Sequence, residues 1–277
     1  MHVDLYRRFT EARPATESIG RIMPYNWTSM AQRLAGAWMT YSSMLDDFAR
    51  EVANAMNAFT INVRRLYAWA AVLDTLGEDE RAEAIHEFVD PIATLCLLTP
   101  YAVRSRLIFA TAHLCHQVNL IREAGWVESS LPVDDEIWMD SADRQGAPWR
   151  RYNRLKTRIE AIGGQSLRKA TVDFRNAFTH RFSPRVETGI TNFATRHFDP
   201  ATGRAFYSFG GTEPLGVKDL TVLLDAELDR CYAAFAAFQA LVAEQVAFVT
   251  AKNAEMLTEI DGQSAAAGRP AADHVET

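Results

Sequence analysis

Apolar residues recur at helical spacing over most of this chain. From Trp27 to Leu76 there is no proline and one glycine, Gly36. Trp38, Tyr41, Met44, Leu45, Phe48 and Val52 are followed in the same rhythm by Phe59, Val63, Leu66 and Trp69. Recurrence every three or four residues gathers such side chains on one stripe of a helix, so the segment predicts one very long helix or two joined by a slight break. Gly77 is its expected stop. Glu78 to Phe88 predicts a short helix, and Thr99-Pro100 reads as an N-cap and first-turn proline opening a helix to about Ala124. Gly125 to Ala147, acidic and carrying Pro132 and Gly146, is expected to be a linker or an ordered loop. Pro148 suits the start of a helix to Ile162, with Trp149, Tyr152, Leu155, Ile159 and Ile162 on one face and Gly163-Gly164 as its break. The next helix is expected over 165–182, with Leu167, Ala170, Phe174 and Phe178 as its buried stripe. Ser183-Pro184 ends it, because the residue before a proline avoids helical geometry.

One region reads as β. Ile190 to His197 and Arg204 to Phe209 flank Asp199-Pro200-Ala201-Thr202-Gly203, a turn-rich connection that predicts a hairpin. Its aromatics Phe193, Phe198, Phe206, Tyr207 and Phe209 suit either stacking on bases or packing the hairpin onto the helices, and packing is the expectation. Gly210-Gly211 and Pro214 lead into a final helix from about Val217 to Ile260, alanine-rich and free of proline and glycine. The fold class is therefore an all-α, long-helix bundle with one β-hairpin inserted at about 188–210. Residues 1–25 are expected to form an N-terminal arm or irregular segment, 26–260 a single helical domain, and 261–277 a small, polar, disordered tail.

Composition changes this picture little. With 48% hydrophobic and 23% charged residues, the 277-residue chain is ordinary for a globular protein. Three widely spaced cysteines, Cys96, Cys115 and Cys231, suggest no disulfide framework and favour a reducing cytoplasm. The polar opening has no signal-peptide core, and no run of 18 apolar residues suggests a membrane span, so no membrane partner is expected. Charge is more telling. The chain carries −6 overall, yet Arg144 to Arg185 holds eleven basic residues against Glu160 and Asp173, or +9, leaving −15 elsewhere (18 basic, 33 acidic). A basic island in an acidic protein marks either a local anion site or arginines paired with acids elsewhere in the fold.

Within that island lies Asp173-Phe174-Arg175-Asn176-Ala177-Phe178-Thr179-His180-Arg181. Arg175 offers a fixed cationic fork for phosphate. His180 supplies an imidazole, the side chain type that exchanges protons near neutral pH. Asn176, one helical turn before His180, can orient either group. Those are the groups needed to cut a phosphodiester without a metal or cofactor. RNA cleaves when its 2′-OH attacks the adjacent phosphorus, a base takes the hydroxyl proton and an acid protonates the leaving oxygen. One histidine does not readily serve as both at once. A two-fold dimer joining two motifs would supply both, so a homodimer with the site at its interface is expected. Arg168, Lys169 and Arg181 flank the motif, and Arg150, Arg151, Arg154 and Arg158 form a basic ladder nearby in sequence. The ladder reads equally as an RNA-backbone track or as partners for an acidic helix such as Asp46-Asp47 or Glu78-Asp79-Glu80. His113 and His116 sit in an apolar helix without zinc-like spacing, which favours a packing role.

Arg175-Asn176-x-x-x-His180 near a helix end in an all-α chain resembles the R-x4–6-H signature of the HEPN superfamily, where a polar residue commonly follows the arginine. The likeness covers roughly residues 165–182 and the general helical pattern. It implies a metal-independent endoribonuclease, dimeric across the motif helices, of the kind found in phage defence and toxin–antitoxin systems. Arg175 and His180 would be catalytic and Asn176 supporting, with RNA as substrate and an antitoxin or regulatory protein as a further partner. The competing implication is a non-catalytic helical dimer that binds RNA or nucleotide or acts as an interaction scaffold.

Overall fold

The computed structural model describes residues 2–267. The α-helices in this span are α1 (His2–Ala12), α2 (Met39–Leu73), α3 (Glu78–Ala84), α4 (Asp90–Arg122), α5 (Met139–Gly146), α6 (Tyr152–Ala161), α7 (Gln165–Ala170), α8 (Phe174–His180) and α9 (Val217–Ala267). The two strands, β1 (Ala194–Asp199) and β2 (Arg204–Phe209), pair antiparallel. The all-α class with an inserted hairpin is thus what the chain adopts. The N-terminal arm is helical, with Leu5 and Phe9 buried. Helix α9 runs past Ile260, so residues 261–267, expected in the tail, are helical; the remainder of that tail lies outside the described residues.

The long helices agree with the pattern at their centres and depart from it at breaks. Pro100 lies inside α4 instead of opening a helix. An interior proline costs about 3 kcal/mol, but Leu97, Val103 and Leu107 around it are buried, each contributing about 1.5–3 kcal/mol. Burial wins, and a five-residue π-helix, Ile85–Val89, joins α3 to α4. The expected linker at 125–147 contains two single 3₁₀ turns and α5. Two stretches, Glu78–Arg122 and Val217–Gln263, are long and apolar enough to cross a membrane by composition alone, a test that core helices of globular proteins also pass.

The chain divides into two compact units, each drawn from three segments of the sequence. The first takes residues up to Tyr25, Val52–Leu107 and Lys156–Ala236. Its core includes a ring stack in which Trp69 lies between Phe9 and Phe88, each centroid 4.9 Å away. In the same unit, the Tyr232 hydroxyl accepts the Arg21 N–H at 2.9 Å, and Asn57 bonds both backbone groups of Met23. These bonds fix the segment that follows α1.

The second unit takes Asn26–Glu51, Ile108–Leu155 and the chain from Ala237 onward. Buried Trp38, in the 3₁₀ turn just before α2, and Tyr41 and Leu45 from α2 pack beside a polar chain in which Tyr41 donates to Gln245 and Gln245 donates to the Cys115 thiol. The three cysteines are free and buried; burial raises each thiol, that of Cys96 to about 12. His113 and His116 are buried too, near Asp134 and Glu128 at 3.1 and 3.4 Å. Burial lowers the His113 pKa below 6.5, partly opposed by Asp134. The unfolded chain therefore takes up this proton at higher pH than the native one does. The stability from neutral His113 is complete above about pH 6.5 and is lost as pH falls through the lowered native value. Thermal melts between pH 7 and 5 are expected to fall more steeply for the wild type than for His113→Gln; equal slopes would remove this assignment.

Candidate functional site

The motif helix is not the single helix expected over 165–182. Helix α7 stops at Ala170, and Val172 and Asp173 both take left-handed backbone, with φ of 53° and 51°. The Asp173 N–H reaches back to the Arg168 carbonyl at 2.6 Å and the Val172 N–H to Lys169 at 3.4 Å. That pairing closes a helix C-terminus around one left-handed residue, a place normally taken by glycine. Thr171, buried, donates its hydroxyl to the Leu167 carbonyl and accepts the Phe174 N–H at 3.5 Å, so one side chain ends α7 and starts α8.

The break changes which residues face inward. Leu167, Phe174 and Ala177 are buried, whereas Ala170 and Phe178, expected in the stripe, are exposed. Phe178 stacks on Phe174 at 5.7 Å. A β-branched residue in left-handed backbone costs about 1–2 kcal/mol. Val172→Gly should relieve it at a cost of about 0.5–1 kcal/mol in unfolded-chain entropy. A net stabilisation of roughly 0.5–1 kcal/mol in urea melts is expected, and a loss of stability would show that no strain resides there.

With Phe174 and Ala177 turned inward, Arg175 and His180 point outward and Asn176 is half-buried. Five residues of helix separate the two side chains by about 140° around the axis. Among the described residues no carboxylate pairs with Arg175 and no group hydrogen-bonds the His180 ring. A salt-bridged role for Arg175 would require such a partner. The Arg175 guanidinium instead lies 5.9 Å from the ring centre of Tyr101, on α4.

Tyr101 gave no signal in the sequence. Its ring packs against Gly163, where φ is +63° and an added Cβ would come within 2.7 Å of the ring. The Gly163 N–H donates to Glu227 at 3.1 Å, and buried Glu227 also holds Arg230. The phenol is raised by burial first and by Asp173, while Arg168 and Arg175 oppose the rise. Burial and the carboxylates win, so the Tyr101 phenol stays a neutral hydroxyl beside Arg175.

The loop after α8 is pinned rather than loose. Glu187 accepts the Val217 N–H at the start of α9 and pairs with Arg81, both at 2.5 Å. Of the other expected site residues, Arg168 and Lys169 are exposed in the last turn of α7, and Arg181 is exposed at the α8 C-cap. Arg158 belongs to the motif's unit, whereas Arg150, Arg151 and Arg154 belong to the other. Glu244 accepts the backbone N–H groups of Arg150 and Arg151, at 3.3 and 3.0 Å. Among the described residues none of the four ladder side chains ion-pairs with Asp46, Asp47 or the acids at 78–80. Comparison with known proteins finds no matching family model, no similar curated protein and no similar solved structure.

Proposed function

We propose that this chain is a metal-independent endoribonuclease of HEPN type, acting as a homodimer in the cytoplasm. The observation that carries the reading is the outward, acid-free placement of Arg175 and His180 on one short helix. In the reaction the 2′-oxygen bonds to phosphorus as the P–O5′ bond breaks, leaving a 2′,3′-cyclic phosphate and a 5′-OH. One imidazole accepts the 2′-OH proton, and an imidazolium of the second copy donates one to the departing 5′-oxygen. Arg175 forks onto the non-bridging oxygens, where charge accumulates in the transition state. Asn176 orients the His180 ring or the phosphate from the same face. Arg168, Lys169 and Arg181 extend the cationic surface along the strand.

Such an enzyme suits phage defence or a toxin–antitoxin pair, where a protein partner restrains it. The test is incubation of the purified chain with mixed RNA in EDTA, beside His180→Ala and Arg175→Ala. Cleavage that disappears in both folded variants supports the reading. Cleavage that persists in both assigns the activity elsewhere. Binding without cleavage would leave a non-catalytic RNA-binding dimer.

A further inference from the structure

The hairpin does not pack on the helices as expected. Along β1 and β2 every side chain is exposed except the half-exposed Asp199, and Phe193, Phe198, Phe206, Tyr207 and Phe209 are 55 to 73% exposed. Single exposed aromatics are ordinary, but five on one hairpin mark a surface with a use. Register sorts them. The pairs Arg196↔Tyr207, Phe198↔Ala205 and Ala194↔Phe209 alternate with the others, so Arg196, Phe198, Tyr207 and Phe209 share one face. Phe193, just before β1, lies 6.3 Å from Phe209, ring centre to ring centre. On the opposite face His197 stacks on Phe206 at 5.1 Å and bonds Ser208.

At the foot of the hairpin, beside the end of α8, lies a pocket of about 410 Å³. Arg181, Phe182, Asn192, Thr195, Arg196 and Thr212 contribute to its wall, and no acid lines it. Among the described residues neither Arg181 nor Arg196 pairs with a carboxylate. Two unneutralised guanidiniums in an acid-free pocket select an anion, and Arg196 carries the pocket onto the aromatic face. A ligand that meets both has phosphates and flat rings alternating along a flexible chain.

We propose that this hairpin face and the pocket at its base form a docking platform for single-stranded RNA, the bases stacking on the aromatics and the phosphates meeting Arg181 and Arg196. The choice of RNA rests on the ribonuclease reading of the adjacent motif. A duplex hides its base faces and does not fit the platform. A lone two-stranded hairpin is only marginally stable by itself. Here the Thr191–Thr212 backbone pair and the Val186–Leu215 bridge anchor its base, holding the face out from the helices without a core beneath it.

Binding is measured by fluorescence anisotropy with a 12-nucleotide single-stranded RNA and the full chain carrying His180→Ala, which keeps the strand intact. Adding Tyr207→Ala with Phe209→Ala is expected to weaken binding at least tenfold without altering its salt dependence. Adding Arg181→Ala with Arg196→Ala is expected to weaken binding and to flatten the log–log salt slope by about 1.4, the value for two phosphates of a single strand. Duplex RNA of the same sequence should bind at least tenfold more weakly. Unchanged affinity in the folded aromatic variant, or equal affinity for duplex, overturns the proposal. So does loss of self-association with RNA binding intact, which assigns the face to a second copy. A wild type that binds but never cleaves removes the ribonuclease reading and leaves the platform. One that cleaves as fast with the hairpin aromatics replaced removes the platform alone.

Discussion

His180→Ala is expected to lower kcat for RNA cleavage by about 10²–10⁴-fold, the range a positioned general acid or base contributes. Stability should be nearly unchanged, because the ring is exposed and hydrogen-bonded to nothing among the described residues. That separation of activity from folding matters, because a capping histidine would behave in the opposite way. Its loss would lower the melting temperature and leave catalysis alone. Single-turnover rates beside thermal melts of the same variant decide between the two.

Arg175→Ala is expected to cost about 10²–10³-fold in kcat/KM, comparable to removal of one preorganised donor from a developing oxyanion. Arg175→Lys should recover little of it. An ammonium keeps the charge but lacks the planar fork that meets two phosphate oxygens together. It also loses the guanidinium placement 5.9 Å from the Tyr101 ring. Full activity in the lysine variant would show that only charge is needed at this position and would weaken the phosphate-fork role. Because Arg175 is exposed and pairs with no acid among the described residues, neither variant is expected to unfold the chain.

The parts of this fold that could be read in advance are those where local chemistry and tertiary burial agree. The long apolar rhythm after Trp38 becomes α2, and the alanine-rich end of the chain becomes α9. The turn at Asp199-Pro200-Ala201-Thr202-Gly203 sits between two β-favouring runs and makes a hairpin. The failures fall where these levels conflict. Pro100 signals a helix start, but burial of its neighbours carries α4 through it. Val172 signals nothing unusual, because a β-branched residue is a poor choice for left-handed backbone, yet the fold places it there and splits α7 from α8.

The candidate site divides in the same way. Arg175, Asn176 and His180 are legible because they lie within one helix, where spacing fixes relative direction. Tyr101 and Gly163 are not, since only the packing of α4 against the α6–α7 turn brings them to the motif. The exposure of the hairpin was equally hidden. Aromatic residues on a strand usually mean a buried face, and nothing local says that no described element covers this one.

In the proposed reaction, cleavage proceeds by attack of the 2′-oxygen at the Arg175–His180 motif. The most direct measurement uses an RNA oligonucleotide cut at one known position, in EDTA, with a single 2′-deoxy nucleotide on the 5′ side of the scissile phosphate. The account predicts that this one missing hydroxyl abolishes cleavage there, and that the all-ribose strand yields a 2′,3′-cyclic phosphate and a 5′-OH. Cleavage of the 2′-deoxy strand at the same position would mean that water, not the ribose, is the nucleophile, and would contradict it.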